Sequence, residues 1–241
     1  MENRILLVDL ETTPLVSYNW GIYEQNAIEI ITDWHILCFS YKWLGEKKTH
    51  VVSLPDFKLY KKDPDNDRDL VKELHKLFGE AQTLVAHNGL SFDFKKANAR
   101  FIYHGLTPPE PYKTIDTLKV ARKYFKFSSN RLDALGDYLK LGRKVHTGGF
   151  KLWKDCMEGD LKAFKRMKRY NKQDVLLLEK VYYSLRGWMN PNTSLPEGSV
   201  CHVCGATRLQ RRGFSITVRG KRQRAQCTQC GAWGLLGKII K

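Results

Sequence analysis

Apolar and polar positions along the first 190 residues change period repeatedly. Residues 4–10 are almost continuously apolar from Ile5 to Val8, which predicts a buried strand. Residues 35–43 and 49–54 are rich in β-branched and aromatic side chains. Gly45-Glu46-Lys47-Lys48 between them predicts the turn of a hairpin. Leu70, Val71, Leu74, Leu77 and Phe78 recur at helical spacing behind Asp67 and Asp69, both placed as acidic caps. A short strand at 83–86 leads through Asn88-Gly89 into a helix over about 91–103, with Ser91 as its cap. Pro108-Pro109-Glu110-Pro111 breaks the chain before another short strand at 112–116. Helical patterns then occupy 118–125, 131–141 and 160–188. Mixed strands first and helices later predict an α/β or α+β domain built on a mixed sheet.

A second unit follows. Residues 191–199, Pro-Asn-Thr-Ser-Leu-Pro-Glu-Gly-Ser, have linker composition, and four of the six cysteines lie beyond them. The chain is thus divided into a domain at 1–190, a linker at 191–199 and a small cysteine-bearing unit at 200–241.

Charge sharpens this division. The chain carries a formal net charge of +16, and residues 191–241 hold nine Lys and Arg against the single acid Glu197, which is half of that excess. Such a surplus favours a polyanionic partner, because each neutralised phosphate releases condensed counterions. No apolar run approaches the roughly 20 residues of a spanning helix, and no amphipathic anchor is visible, so no membrane partner is expected. The opening Met1-Glu2-Asn3-Arg4 has no secretory character, and the expected location is cytoplasmic.

Three acidic elements carry candidate chemistry. Asp9 and Glu11 end the first strand two residues apart, so both carboxylates project from one face. Asp93 in Asn88-Gly89-Leu90-Ser91-Phe92-Asp93 stands in the first turn of a helix, where negative charge is favoured. Tyr170 and Asp174 share one face of the long last helix at i, i+4 spacing. Each alone has an ordinary reading: a solvated strand tip, a capping aspartate, an amphipathic helix edge.

In combination, Asp-x-Glu on an early strand, Asn-x3-Phe-Asp at a helix start and Tyr-x3-Asp on a late helix resemble the DEDD exonucleases. Arg169 stands where the histidine branch of that group has its histidine, so the chain resembles the tyrosine branch. The resemblance covers about residues 4–186. Tyr112 and Asp116 also fit Tyr-x3-Asp, but in an extended segment, which assigns Asp116 a structural role.

The resemblance implies a ribonuclease H-like mixed sheet flanked by helices and 3′→5′ exonuclease activity. Asp9, Glu11, Asp93 and Asp174 would hold two Mg²⁺ or Mn²⁺ ions, hard cations suited to oxygen ligands. Tyr170 would orient the attacking water. Single-stranded DNA is the favoured substrate, because Val8-Asp9-Leu10-Glu11-Thr12-Thr13-Pro14 looks more like polymerase-associated exonucleases than RNase D. An RNase D-like exoribonuclease and a silent nucleic-acid-binding adaptor are the alternatives. A separate polymerase or other replication or repair protein is the expected protein partner.

Cys201-His202-Val203-Cys204-Gly205 and Cys227-Thr228-Gln229-Cys230-Gly231 are two Cys-x2-Cys-Gly knuckles 22 residues apart. Four thiolates on one structural Zn²⁺ would stabilise a unit too small for its own core, and the segment resembles a β-rich zinc ribbon. His202 is then no ligand, and Cys38 and Cys156 are ordinary thiols. Arg and Lys residues with Phe214 and Trp233 suit either single-stranded nucleic acid or a docked protein.

Thr12, His87 and Asn88 adjoin the motif carboxylates and are candidate substrate contacts, His87 equally a structural histidine. The basic run Lys162, Lys165, Arg166, Lys168, Arg169 and Lys172 leads up to Tyr170 and suits phosphates. Tyr18, Trp20, Tyr23 and Trp34 follow the first motif; packing over the sheet is their expected role, base stacking the alternative.

Overall fold

A computed structural model describes residues 4–23, 26–143, 148–196 and 198–240. Met1–Asn3, read above for a leader, and Glu197 of the linker lie outside the described residues. The first domain is built on a five-stranded sheet of β1 (Ile5–Thr12), β4 (Ile36–Trp43), β5 (His50–Ser53), β6 (Thr83–Ala86) and β7 (Lys113–Asp116), in the order β5-β4-β1-β6-β7. β1, β6 and β7 run parallel, while β4 and β5 are antiparallel to their neighbours. The sheet is therefore mixed, as its sequence pattern predicts.

β1 is central because both of its faces are apolar. Leu6, Val8 and Leu10 join the core formed with α1 (Arg68–Glu80) and α2 (Asp93–Tyr103). Ile5 and Leu7 point the other way, into the core formed with α3 (Thr117–Tyr124), α4 (Leu132–Tyr138) and α6 (Leu161–Leu185). Asp9 and Glu11 continue this second alternation, so they meet α6. A short helix α5 (Lys151–Met157), absent from the sequence expectations, packs Leu152 and Cys156 beside the N-terminal half of α6. Among the described residues no helix is long and apolar enough to cross a membrane.

Two capping expectations are corrected. Ser91 caps nothing; Phe92 occupies the cap position of α2, and the Ser91 N–H closes a turn on the Asn88 carbonyl. Asp67 precedes α1 but makes no side-chain cap bond. It is fully buried and accepts from the Ile36 N–H at 2.9 Å, from Arg100 and from His104. A buried carboxylate takes the strongest donors within reach, and here those come from α2 rather than from its own helix.

The sequence between β1 and β4 forms a separate two-stranded hairpin, β2 (Val16–Tyr18) and β3 (Glu29–Thr32). Tyr18, Trp20 and Tyr23 are exposed on it, which overturns their expected packing over the sheet. Only Trp34 of the four aromatics packs against the core, with Lys96 Nζ 3.5 Å above its ring.

The C-terminal unit is a four-stranded sheet in the order β8-β11-β10-β9, from β8 (Ser194–Leu195), β9 (Leu209–Thr217), β10 (Gly220–Cys227) and β11 (Trp233–Ile240). β8 lies within the stretch read as a linker and pairs parallel with β11. The unit rests on the C-terminal end of α6 and the turn that follows it. A Cβ on Gly187 would stand 2.6 Å from the Cys230 carbonyl oxygen, so glycine is what permits this approach.

Candidate active site and metal centres

The carboxyl ends of β1, β6 and β7 form one rim of the sheet, the rim at which parallel strands of α/β folds present their functional groups. Asp9 and Glu11 arrive there on β1. α6 crosses the same face and brings Asp174 to them, so that one carboxylate oxygen from each of the three lies within 4.8 Å of the others. Asp174 is buried, and Asp9 and Glu11 are half-buried. Three convergent carboxylates repel one another unless protonated or bridged by a cation, and an all-oxygen donor set suits Mg²⁺ or Mn²⁺. The residues fit a divalent metal centre.

Asp93, the first residue of α2, is buried beside this trio and accepts a 2.9 Å hydrogen bond from the Leu10 N–H through Oδ1. That bond ties the start of α2 to the strand bearing Asp9 and Glu11. Tyr170 is hydrogen-bonded to Asp174 one turn away. Burial, then the charges of Asp174, Glu11 and Asp9, push its hydroxyl far above the ordinary tyrosine range. It remains a protonated donor at every physiological pH.

Asn171 was not among the sequence candidates. It is fully buried, and its Nδ2 donates to Asp9 Oδ2 at 2.6 Å and to the Asp9 carbonyl at 3.2 Å. The opposite amide orientation would face two oxygens with a third. Its own carbonyl accepts from Ser40 Oγ at 2.7 Å, which pins α6 to β4 where Ser40 pairs with Asp9. The available signal was its place between Tyr170 and Asp174.

The three candidate substrate contacts have different surroundings. Thr12 stands at an irregularity of β1, half-buried beside Glu11. His87 bonds Thr117 Oγ1 at 2.9 Å and the Asn130 carbonyl at 3.0 Å, so both ring nitrogens are engaged by the fold. Asn88 takes φ +69°, and its N–H donates to Asp116. Asp116 also accepts from Leu90, Leu118 and Lys119, which fits the structural role expected of it. His87 and Asn88 line a pocket of about 640 Å³ shared with Arg122, Asn130 and Arg131.

In the ribbon, Cys201, Cys204, Cys227 and Cys230 converge, with Sγ atoms 3.6 Å apart in the pairs Cys201–Cys230 and Cys204–Cys227. Four sulfurs bonded to one zinc at about 2.3 Å would stand about 3.8 Å apart, so the set fits tetrahedral Zn²⁺. Gly205 and Gly231 take φ +74°, and each donates its N–H back to the first cysteine of its knuckle. His202 lies outside the sulfur set and bonds the Met189 backbone; burial lowers its pKa. Cys38 and Cys156 are buried in the core, where burial raises both thiols, Cys156 to about 12.

The family model for the RNase H superfamily matches residues 31–186. This chain belongs to the RNase H superfamily. The match takes in Asp93, Tyr170 and Asp174, while Asp9 and Glu11 precede it on the central strand. A comparison with curated proteins finds no match. Among solved structures, a family B DNA polymerase from the hyperthermophilic archaeon Pyrobaculum calidifontis aligns with a TM-score of 0.56 and 14% identity. That alignment covers 76% of this chain and 24% of the polymerase, and it shows a shared fold. The RNase H-like architecture thus carries an acidic rim at the carboxyl end of its central strand.

Proposed function

We propose that the protein is a metal-dependent 3′→5′ exonuclease that degrades single-stranded DNA to nucleoside 5′-monophosphates. The observation that carries this reading is the convergence of Asp9, Glu11 and Asp174 from two elements far apart in sequence, with Tyr170 bonded to the last. The 3′ polarity and the tyrosine-branch assignment rest on the resemblance of the three motifs.

Asp9, Glu11 and Asp174 would hold two Mg²⁺ or Mn²⁺ ions together with Asp93. Bound there, such ions supply Lewis-acid chemistry, lowering the pKa of a water and neutralising charge on the departing 3′ oxygen. Tyr170 donates its hydroxyl hydrogen bond to Asp174, which leaves its oxygen lone pairs to accept a hydrogen bond from the attacking water. From there it positions the water. Asn171 holds Asp9 in place.

Lys162, Lys165, Arg169 and Lys172 fall on one exposed stripe of α6, on the face turned away from Asp174. We assign them to the phosphates of the bound strand. The ribbon, holding one structural Zn²⁺, meets α6 near Arg186, about 18 Å along the helix from Asp174 at 1.5 Å per residue. We assign its cations to the upstream strand or to a polymerase-type partner. We assign the protein to the cytoplasm.

The test is incubation of 5′-labelled single-stranded DNA and RNA of one sequence with Mg²⁺, Mn²⁺ or EDTA. A metal-dependent ladder on DNA supports the reading, and a ladder confined to RNA moves it to an exoribonuclease. Intact substrate that the protein still shifts on a gel makes it a binding adaptor.

A further inference from the structure

The hairpin of β2 and β3 is the part of the first domain that the nuclease fold leaves unexplained. It continues the β1–β4 pair beyond Thr12 and Ile36, so it projects from the rim that carries the carboxylates. Its far end is aromatic and bare: Tyr18 is 60% exposed, Trp20 85% and Tyr23 89%. No other described ring packs against any of the three. Large aromatics so exposed are normally covered by a ligand or a partner.

Charge distinguishes the occupants. No lysine or arginine occurs between Arg4 and Lys42, in a chain with 41 of them, and Glu29 and Asp33 add negative charge to the hairpin. A phosphate backbone is repelled from such a surface. Base faces are not, because stacking needs only a π-face and carries no charge requirement. The exposed stripe Lys162, Lys165, Arg169 and Lys172 lies on the face of α6 turned away from Asp174 and does not share this surface. A single strand whose 3′ end reaches the rim would turn its unpaired bases to the hairpin. A duplex end, with its bases paired and stacked inward, offers the hairpin no such faces.

We propose that Tyr18, Trp20 and Tyr23 form a stacking platform for unpaired bases next to the scissile 3′ end, and so select single strands over duplex. This rests on the exonuclease reading for its substrate, and is tested without hydrolysis. The full-length protein, with Ca²⁺ in place of Mg²⁺ so that the ribbon keeps its zinc, is titrated with a labelled single-stranded DNA 12-mer and with the same backbone lacking its three 3′-terminal bases.

Wild type should bind the intact strand more tightly by about 5- to 150-fold for each stacked base. Trp20→Ala/Tyr23→Ala should lose this discrimination, and Trp20→Phe/Tyr23→Phe should retain most of it. Equal affinity of wild type for both strands, or discrimination that survives the alanine pair, overturns the proposal. So does an alanine pair that binds as wild type but sediments as a monomer where wild type is a dimer, which assigns the hairpin to a second copy. Failure of hydrolysis with base discrimination intact would instead sink the exonuclease reading and leave the platform standing.

Discussion

Replacing Asn171 by alanine removes both hydrogen bonds that hold Asp9 from α6, the 2.6 Å contact to Oδ2 and the 3.2 Å contact to its carbonyl. A hydrogen bond to a charged acceptor contributes about 1.5–3 kcal/mol, and RT converts this to roughly 10- to 150-fold. Removing groups that orient a metal-binding carboxylate typically costs 10–100-fold in metal affinity or activity, which agrees. Because Asn171 touches Asp9 and not the substrate, the loss should fall on the Mg²⁺ concentration at half-maximal rate. Saturating Mg²⁺ should restore much of the rate. The assay is a Mg²⁺ titration of single-strand hydrolysis, with circular dichroism to verify folding. A half-saturating Mg²⁺ concentration within twofold of wild type would refute the reasoning, as would a uniform loss of rate at every Mg²⁺ concentration.

Two further predictions concern the fold beneath the site. Arg100→Ala removes the guanidinium of a buried ion pair and leaves the Asp67 carboxylate only His104 and the Ile36 N–H, which should cost about 3–5 kcal/mol. At about 2–4 °C per kcal/mol for a chain of this size, the melting temperature should drop by roughly 6–20 °C. Asp67→Asn/Arg100→Met should lose less, since it removes both charges and keeps an acceptor for the Ile36 N–H; a larger loss than the single variant would contradict this. His35 is held below the ordinary imidazole pKa by burial, against the opposing pull of Asp65 and Asp67. The folded chain then binds fewer protons than the unfolded one, so this stability is intact above about pH 6.5 and lost as pH falls. Urea midpoints between pH 5 and 8 should decline less on the acid side in His35→Gln; identical slopes would rule His35 out as a contributor.

The five-stranded sheet was legible because β1, β4 and β6 carry apolar runs that only a sheet interior accommodates, bounded by turn residues such as Gly45 and Asn88. The carboxylates were legible because i, i+2 on a strand and i, i+4 on a helix each fix one face. Whether those two faces meet depends on how α6 lies across β1, and no local spacing encodes that. Asn171 was missed for this reason: its role exists only once α6 is seated on Asp9 and Ser40. Asp67 was misread as a cap because its partners, Arg100 and His104, lie 33 and 37 residues away. The hairpin aromatics were expected to pack because exposed tryptophan is uncommon, and nothing in residues 15–34 records that the hairpin stands off the sheet.

The central claim is that Asp9, Glu11 and Asp174 form a metal centre that removes nucleotides from a 3′ end. The most direct measurement is the product analysis of 5′-labelled single-stranded DNA digested by wild type and Asp174→Ala in Mg²⁺. The account predicts stepwise shortening from the 3′ end with release of 5′-monophosphates, abolished in the variant and by EDTA. Internal cleavage, or digestion that survives both the variant and the chelator, would contradict it.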